Sequence, residues 1–133
     1  MSYITIGTEI YNLLNTITQI NILYQHEPKE LKEYPAVTIS ALGHKNIPHD
    51  TAGNVRQFQF MIRAYYRTDI AGDAESILRD LADKIITKLE GSVSLNGSCD
   101  YTRATEAKYF FGEKEVPMRW VEIMIEAVKR VNR

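Results

Sequence analysis

The sequence predicts an α+β fold: a mainly antiparallel sheet of about four to five strands packed against two helices. Two stretches repeat apolar residues at helical spacing, and several others alternate apolar with polar residues. Prolines and glycines separate successive strand-like stretches, which favours antiparallel pairing.

The elements follow in order. Ile6, Ile10, Leu13, Leu14 and Ile17 mark an amphipathic helix over about residues 2–18, starting at Ser2 or Thr5. Either hydroxyl can accept an orphan amide hydrogen as a cap, and Gly7 slightly weakens the first turn. Ile20, Ile22 and Tyr24 alternate with Asn21 and Leu23 as a short strand. Residues 27–33 are a charged, solvated connector containing Pro28. Pro35 disfavours helix at Tyr34, and the strand 36–42 starts directly after it.

Residues 43–54 read as a projecting loop punctuated by Pro48 and Gly53. The clearest alternation follows over 55–66, with Phe58, Phe60, Ile62, Ala64 and Tyr66 on one face. A second helix carries Ala74, Ile77, Leu78, Leu81, Ala82, Ile85 and Leu89 on one stripe. Asp69 or Asp73 caps it, and Gly91 ends it. Such an apolar stripe must pack on the sheet. Val93 and Leu95 precede Asn96-Gly97, a tight-turn pair. Residues 101–111 read as a strand with mixed faces, 112–117 as a charged turn, and 118–131 as a final strand. In that last stretch Trp120, Ile123, Met124 and Ala127 also fit helical spacing; strand is favoured.

At 133 residues the chain is expected to form one domain, long enough to hold a core without metal or disulfide. A net charge of −1 argues against a dedicated nucleic-acid binder and leaves little self-repulsion to oppose association. The single cysteine, Cys99, excludes an intrachain disulfide. The N-terminus shows no basic region followed by an apolar core, and the apolar runs are too short for a membrane span.

Catalytic signatures are missing. The glycines are scattered, with no dinucleotide fingerprint, phosphate loop or nucleophile elbow. Cys99 lies far downstream of all three histidines and reads as a semi-buried residue at a strand start. His44, His49 and Asp50 offer nitrogen and oxygen donors, but no fourth ligand or rigid frame accompanies them. Neither a metal nor a cofactor is expected. Glu122 and Glu126 share one face of the last strand, expected to face outward toward water or a neighbouring subunit. Arg56, Arg63, Arg67 and Arg103 suit ion pairs or solvent better than nucleic acid. Of the aromatic residues Tyr65, Tyr66, Tyr101, Tyr109, Phe110, Phe111 and Trp120, most are expected in the core. Tyr65, Tyr109 and Trp120 are expected outward, as interface anchors with Arg63 and Arg67.

The order of elements resembles the tail terminator (tail completion) proteins of long-tailed bacteriophages. The likeness runs from the first helix and the short strand through the charged link into Tyr34-Pro35-Ala36-Val37-Thr38-Ile39. It continues through the long loop, the strand 58–66, the helix 73–89 ending at Gly91, and the closing strands. The resemblance implies a virion subunit that forms a hexameric ring at the head-proximal end of the tail. Such a ring ends tail-tube polymerisation and presents a surface for head-tail joining; it is made in the host cytoplasm and is not an enzyme. Its partners would be copies of itself, the tail tube protein and a head-tail connector protein. DNA would pass through without specific binding, and no membrane is involved. His44, Lys45, Asn46, Ile47, His49, Asp50 and Asn54 form the candidate assembly loop. A head-tail connector or neck protein, a generic edge-strand binding module and a small cytosolic metal-dependent enzyme remain as alternatives.

Overall fold

The computed structural model describes residues 3–26, 28–29, 31, 33–50, 53–67, 74–91, 99, 101–113 and 117–132. In chain order the elements are α1 (Tyr3–Leu14), β1 (Ile22–Tyr24), β2 (Ala36–Asp50), β3 (Gly53–Arg67), α2 (Ala74–Glu90), β4 (Tyr101–Glu113) and β5 (Pro117–Asn132). The five strands form one mixed sheet in the order β1-β2-β3-β5-β4, packed against the two helices. None of the described helices is long and apolar enough to cross a membrane.

The alternation of β3 and β5 sets the core. Phe58, Phe60, Ile62 and Ala64 on β3 point to the same side as Val121, Ile123, Ile125 and Ala127 on β5, and all are buried. The helical stripes close that side: Ile6, Ile10 and Leu14 from α1, and Leu78, Leu81, Ala82, Ile85 and Leu89 from α2. Burying each of these leucine and isoleucine side chains contributes about 1.5–3 kcal/mol. α1 lies over β1 and β2, and α2 over β3, β4 and β5. Gly7 lies where α1 approaches Phe60, with space for an ordinary van der Waals contact at 3.5 Å.

Several boundaries differ from the sequence reading. α1 starts at Tyr3, so Thr5 lies inside it and cannot cap it. It stops at Leu14, four residues short, where the chain tightens into i→i+3 bonds from Thr16 to Leu13 and from Ile17 to Leu14. The short strand shrinks to three residues because that tight winding continues through Ile20, whose N–H donates to Ile17. β1 pairs parallel to β2, Ile22 opposite Ala36 and Tyr24 opposite Thr38, so the mainly antiparallel sheet carries one parallel pair. The link between them carries the chain back to the same end of the sheet. Asn21 fastens it there, with its N–H donating to the Pro35 carbonyl at 3.0 Å and its Nδ2 to the Tyr34 carbonyl. The Tyr34-Pro35 peptide bond is cis.

The largest correction concerns residues 43–54. Residues 43–50 and 53–54 are strand and not loop: β2 runs on to Asp50 and β3 begins at Gly53, paired in ladder from Gly43 opposite Gln59 to Asp50 opposite Gly53. β5 extends alongside, from Val128 opposite Gln57 to Asn132 opposite Gly53. Length explains the arm. Strands of 15 residues span roughly 50 Å, whereas the 17 residues of α2 span only about 26 Å. The sheet therefore outruns its helices and continues as a three-stranded arm. The capping residues Ser2, Asp69 and Asp73, the Asn96-Gly97 turn, and residues 114–116 of the charged turn lie outside the described residues.

Candidate assembly surface

The face of the sheet away from the helices is built in cross-strand rows. Tyr65, Trp120 and Phe110 stand side by side in one row; Arg63, Glu122 and Lys108 form the next. Met61, Met124 and Glu106 follow, then Gln59, Glu126 and Arg103. In the aromatic row Phe110 stacks on Trp120 with centroids 5.5 Å apart and planes at 16°. Tyr65 flanks the same indole at 6.3 Å. Trp120 also covers Gly112, where an added methyl group would meet the indole at 2.9 Å. A glycine is needed there because the ring occupies the space.

Two of the arginines are held by carboxylates. Arg63 Nε lies 3.0 Å from Glu122 Oε2, and Trp120 Nε1 donates to the same oxygen at 3.3 Å. Arg103 Nη2 lies 3.2 Å from Glu126 Oε1. The expectation that both glutamates face outward needs correction for Glu126, whose residue is only 8% exposed. It shares the open face with Glu122, but neighbouring side chains shield it. These pairs neutralise each other within the subunit. Among the described residues no group of three or more His, Cys, Asp or Glu could hold a metal ion.

The named interface residues thus divide. Arg63 and Trp120 both reach Glu122, and Tyr65 lies beside the Trp120 ring. Arg67 stands over the Tyr34 ring, 5.9 Å from its centroid, where β3 ends. Tyr109 lies on the other, helix-covered side, in register with Val121. Its hydroxyl ionises above the ordinary tyrosine value, first because of partial burial and then because of Asp83. His44, Lys45, Asn46, Ile47, His49 and Asp50 occupy the β2 side of the arm, and Asn54 its β3 side.

Two features escaped the sequence reading. Phe110 and Phe111, expected in the core, are 37% and 49% exposed, because β4 is an edge strand. Arg119 covers the Phe111 ring at 4.8 Å. The signal was present in the run Tyr109-Phe110-Phe111, since consecutive strand residues point to opposite faces and cannot all enter one core. The second feature is Leu42, which sits at a β-bulge between Ala41 and Gly43 and is 46% exposed. An open cleft of about 680 Å³ also lies where the C-terminal ends of α1 and α2 meet, floored by Leu13 and Ile17 and rimmed by Asp83, Lys84 and Lys88.

No family model matches the sequence, and no curated protein matches it. Among solved structures, the chain is similar to one described as "Virion of native gene transfer agent (GTA) particle". The two share 14% sequence identity and a TM-score of 0.63, over 94% of each chain. At that identity the likeness is one of fold.

Proposed function

We propose that this chain is a structural subunit of a phage-tail-like virion, and that it forms a hexameric ring at the head-proximal end of the tail. The observation that carries this reading is the end-to-end likeness to a chain of a gene transfer agent virion, which covers 94% of both chains. The order of elements, which resembles tail terminator proteins, narrows it to the end of the tail. Stopping polymerisation requires only a surface that fits the last tube layer and a second surface that fits the head connector. Neither task needs a cofactor or a reaction.

The arm is the part suited to reaching the tube. Its strands are held by ladder hydrogen bonds on three adjacent strands, so it would present His44, Lys45, Asn46, Ile47, His49, Asp50 and Asn54 from fixed backbone positions. A preformed arm avoids most of the ordering entropy that a loop would lose on binding. Arg63, Tyr65, Arg67 and Trp120 on the open face, and Tyr109 at the edge, supply aromatic and guanidinium contacts of the kind that anchor interfaces. DNA would pass through the ring without specific contact.

The test is mass measurement followed by electron microscopy, with the protein alone and with purified tail tubes. Six-fold rings seated on tube ends are the expected result. A protein that stays monomeric at high concentration, with and without tubes, would sink the reading. Rings found on the head side of the neck, away from tube ends, would transfer the role to a head-tail connector.

A further inference from the structure

We infer that copies of this chain join edge to edge, with β4 of one copy adding as an antiparallel strand to the part of β2 in the next that, among the described residues, pairs with β3 alone. The inference takes from the proposed ring only that copies associate, and it names the surfaces that meet. Among the described residues the exposed large hydrophobic side chains are Leu42, Tyr109, Phe110 and Phe111. Leu42 is on β2 and the three aromatics are on β4, the strands that flank the sheet on either side once three-residue β1 ends. Unpaired edges template further strands through their free backbone groups.

Polarity fits. β3 runs against β2, β5 against β3, and β4 against β5, so β4 runs opposite to β2. A second copy placed alongside by rotation about an axis parallel to the strands brings β2 antiparallel to β4. The contact is heterologous, so repeating it generates a ring or an open filament.

Register also fits. Within one sheet Phe110 is level with Ala36, but β1 covers Ala36, Val37 and Thr38. The incoming β4 must slide toward the arm by about six residues, a stagger of the kind that closed sheets require. That slide sets Phe110 opposite Leu42. The same slide lays β4 along residues 39–50 of β2, beyond the part that β1 pairs.

Disulfide trapping tests the contact. In a Cys99→Ala background, Leu42→Cys with Phe110→Cys should give a ladder of covalent oligomers on oxidation, while either cysteine alone should give none. A ladder that closes at six supports both this contact and the ring; a ladder without closed rings supports the contact and sinks the ring. A disulfide dimer from Phe110→Cys alone would mean β4 meets β4 and would overturn the inference. Rings by microscopy without cross-linking of the double variant would also overturn it, leaving the ring intact. Should the cysteine variants not fold, an introduced charge pair decides. Leu42→Lys and Phe110→Glu should each weaken association about five-fold. Their combination should restore it, and failure to restore would overturn the contact.

Discussion

On the helix-covered side of the sheet, Ile39, Ile62 and Ile123 stand in one cross-strand row and none is more than 3% exposed. One residue along on the opposite side, the row is Thr38, Arg63, Glu122 and Lys108. The same strands build both rows, so the backbone ladder contributes equally to each. What differs is the cover. The first row is dry because α1 and α2 lie over it, and its stabilisation comes from apolar area removed from water. The second has no described helix over it, and within it Arg63 and Glu122 satisfy each other sideways across the strands. A face completed by its own helices has little left to offer a partner. A face held by lateral pairs stays soluble alone and keeps aromatic and charged groups at its ends for a second molecule.

The sharpest way to break that contrast is to truncate adjacent residues of β5. Ile125 is fully buried under the helices, and Ile125→Ala should cost about 2–5 kcal/mol through lost burial and a cavity. Met124 points to the open face between Met61 and Glu106, and Met124→Ala should cost less than about 1 kcal/mol. Denaturant midpoints at unchanged slope would measure both. Equal losses would mean that the open face is also load-carrying core, covered by something other than lateral pairs.

The next largest effect belongs to the aromatic row. Gly112→Ala should cost about 1–3 kcal/mol, because the new methyl group would meet the Trp120 ring at 2.9 Å and push it off Phe110. Trp120 is the chain's one tryptophan, so its fluorescence reports the displacement directly. In a Trp120→Leu background the same glycine change should lose most of its penalty. A penalty that persisted there would trace the need for glycine to the backbone and not to the indole.

These contrasts also explain what the sequence could and could not reveal. Phe58, Phe60, Ile62 and Ala64 announced β3 because one face is buried under helices and alternation records that burial. Leu78, Leu81, Ala82, Ile85 and Leu89 announced α2 for the same reason. The arm reads as a loop in the sequence because it has ladder hydrogen bonds but, among the described residues, no helical cover to impose an apolar period. Residues such as His44, Lys45 and Asn46 follow no apolar period, and Pro48 and Gly53 are ordinary turn residues by composition. Pro48 is tolerated in β2 because only β3 pairs with that stretch among the described residues. Parallel β1 was illegible because three residues carry too little pattern to fix a direction. For the assembly surface, Arg63, Tyr65 and Trp120 were identifiable as one face of alternating strands. Leu42, Phe110 and Phe111 were not, since their exposure depends on which strands end up at the edges.

A smaller effect sharpens the lateral-pair idea. The Arg63 and Glu122 side chains are 26% and 23% exposed, so water screens their 3.0 Å contact in part. A double-mutant cycle of Arg63→Met and Glu122→Gln should give a coupling of about 0.5–1 kcal/mol. Added salt should reduce that coupling without erasing it, since the pair is partly shielded. Zero coupling would mean that the row is an arrangement of convenience and adds nothing to the sheet.

The smallest effect is a pH dependence at the edge where the two faces meet. Partial burial of Tyr109, with Asp83 and Glu75 nearby, raises its ionisation above the ordinary 10.0, and Arg79 offsets part of that rise. The neutral phenol is therefore favoured in the folded chain. Below the unfolded-state value both states keep the proton, and the contribution is fully present. As pH rises past about 10 the unfolded chain ionises first, and stability is lost until the folded tyrosine also ionises. Tyr109→Phe should match the parent near neutrality and then lose less stability across roughly pH 9 to 11. Asp83→Asn should narrow the difference. If β4 is covered by a neighbouring β2 in the assembled form, Tyr109 should ionise at still higher pH in rings than in free subunits, because covering the edge deepens its burial. Ultraviolet titration of the two forms would show it, and identical titration curves would mean that the assembled β4 edge stays as open as it is in the single chain.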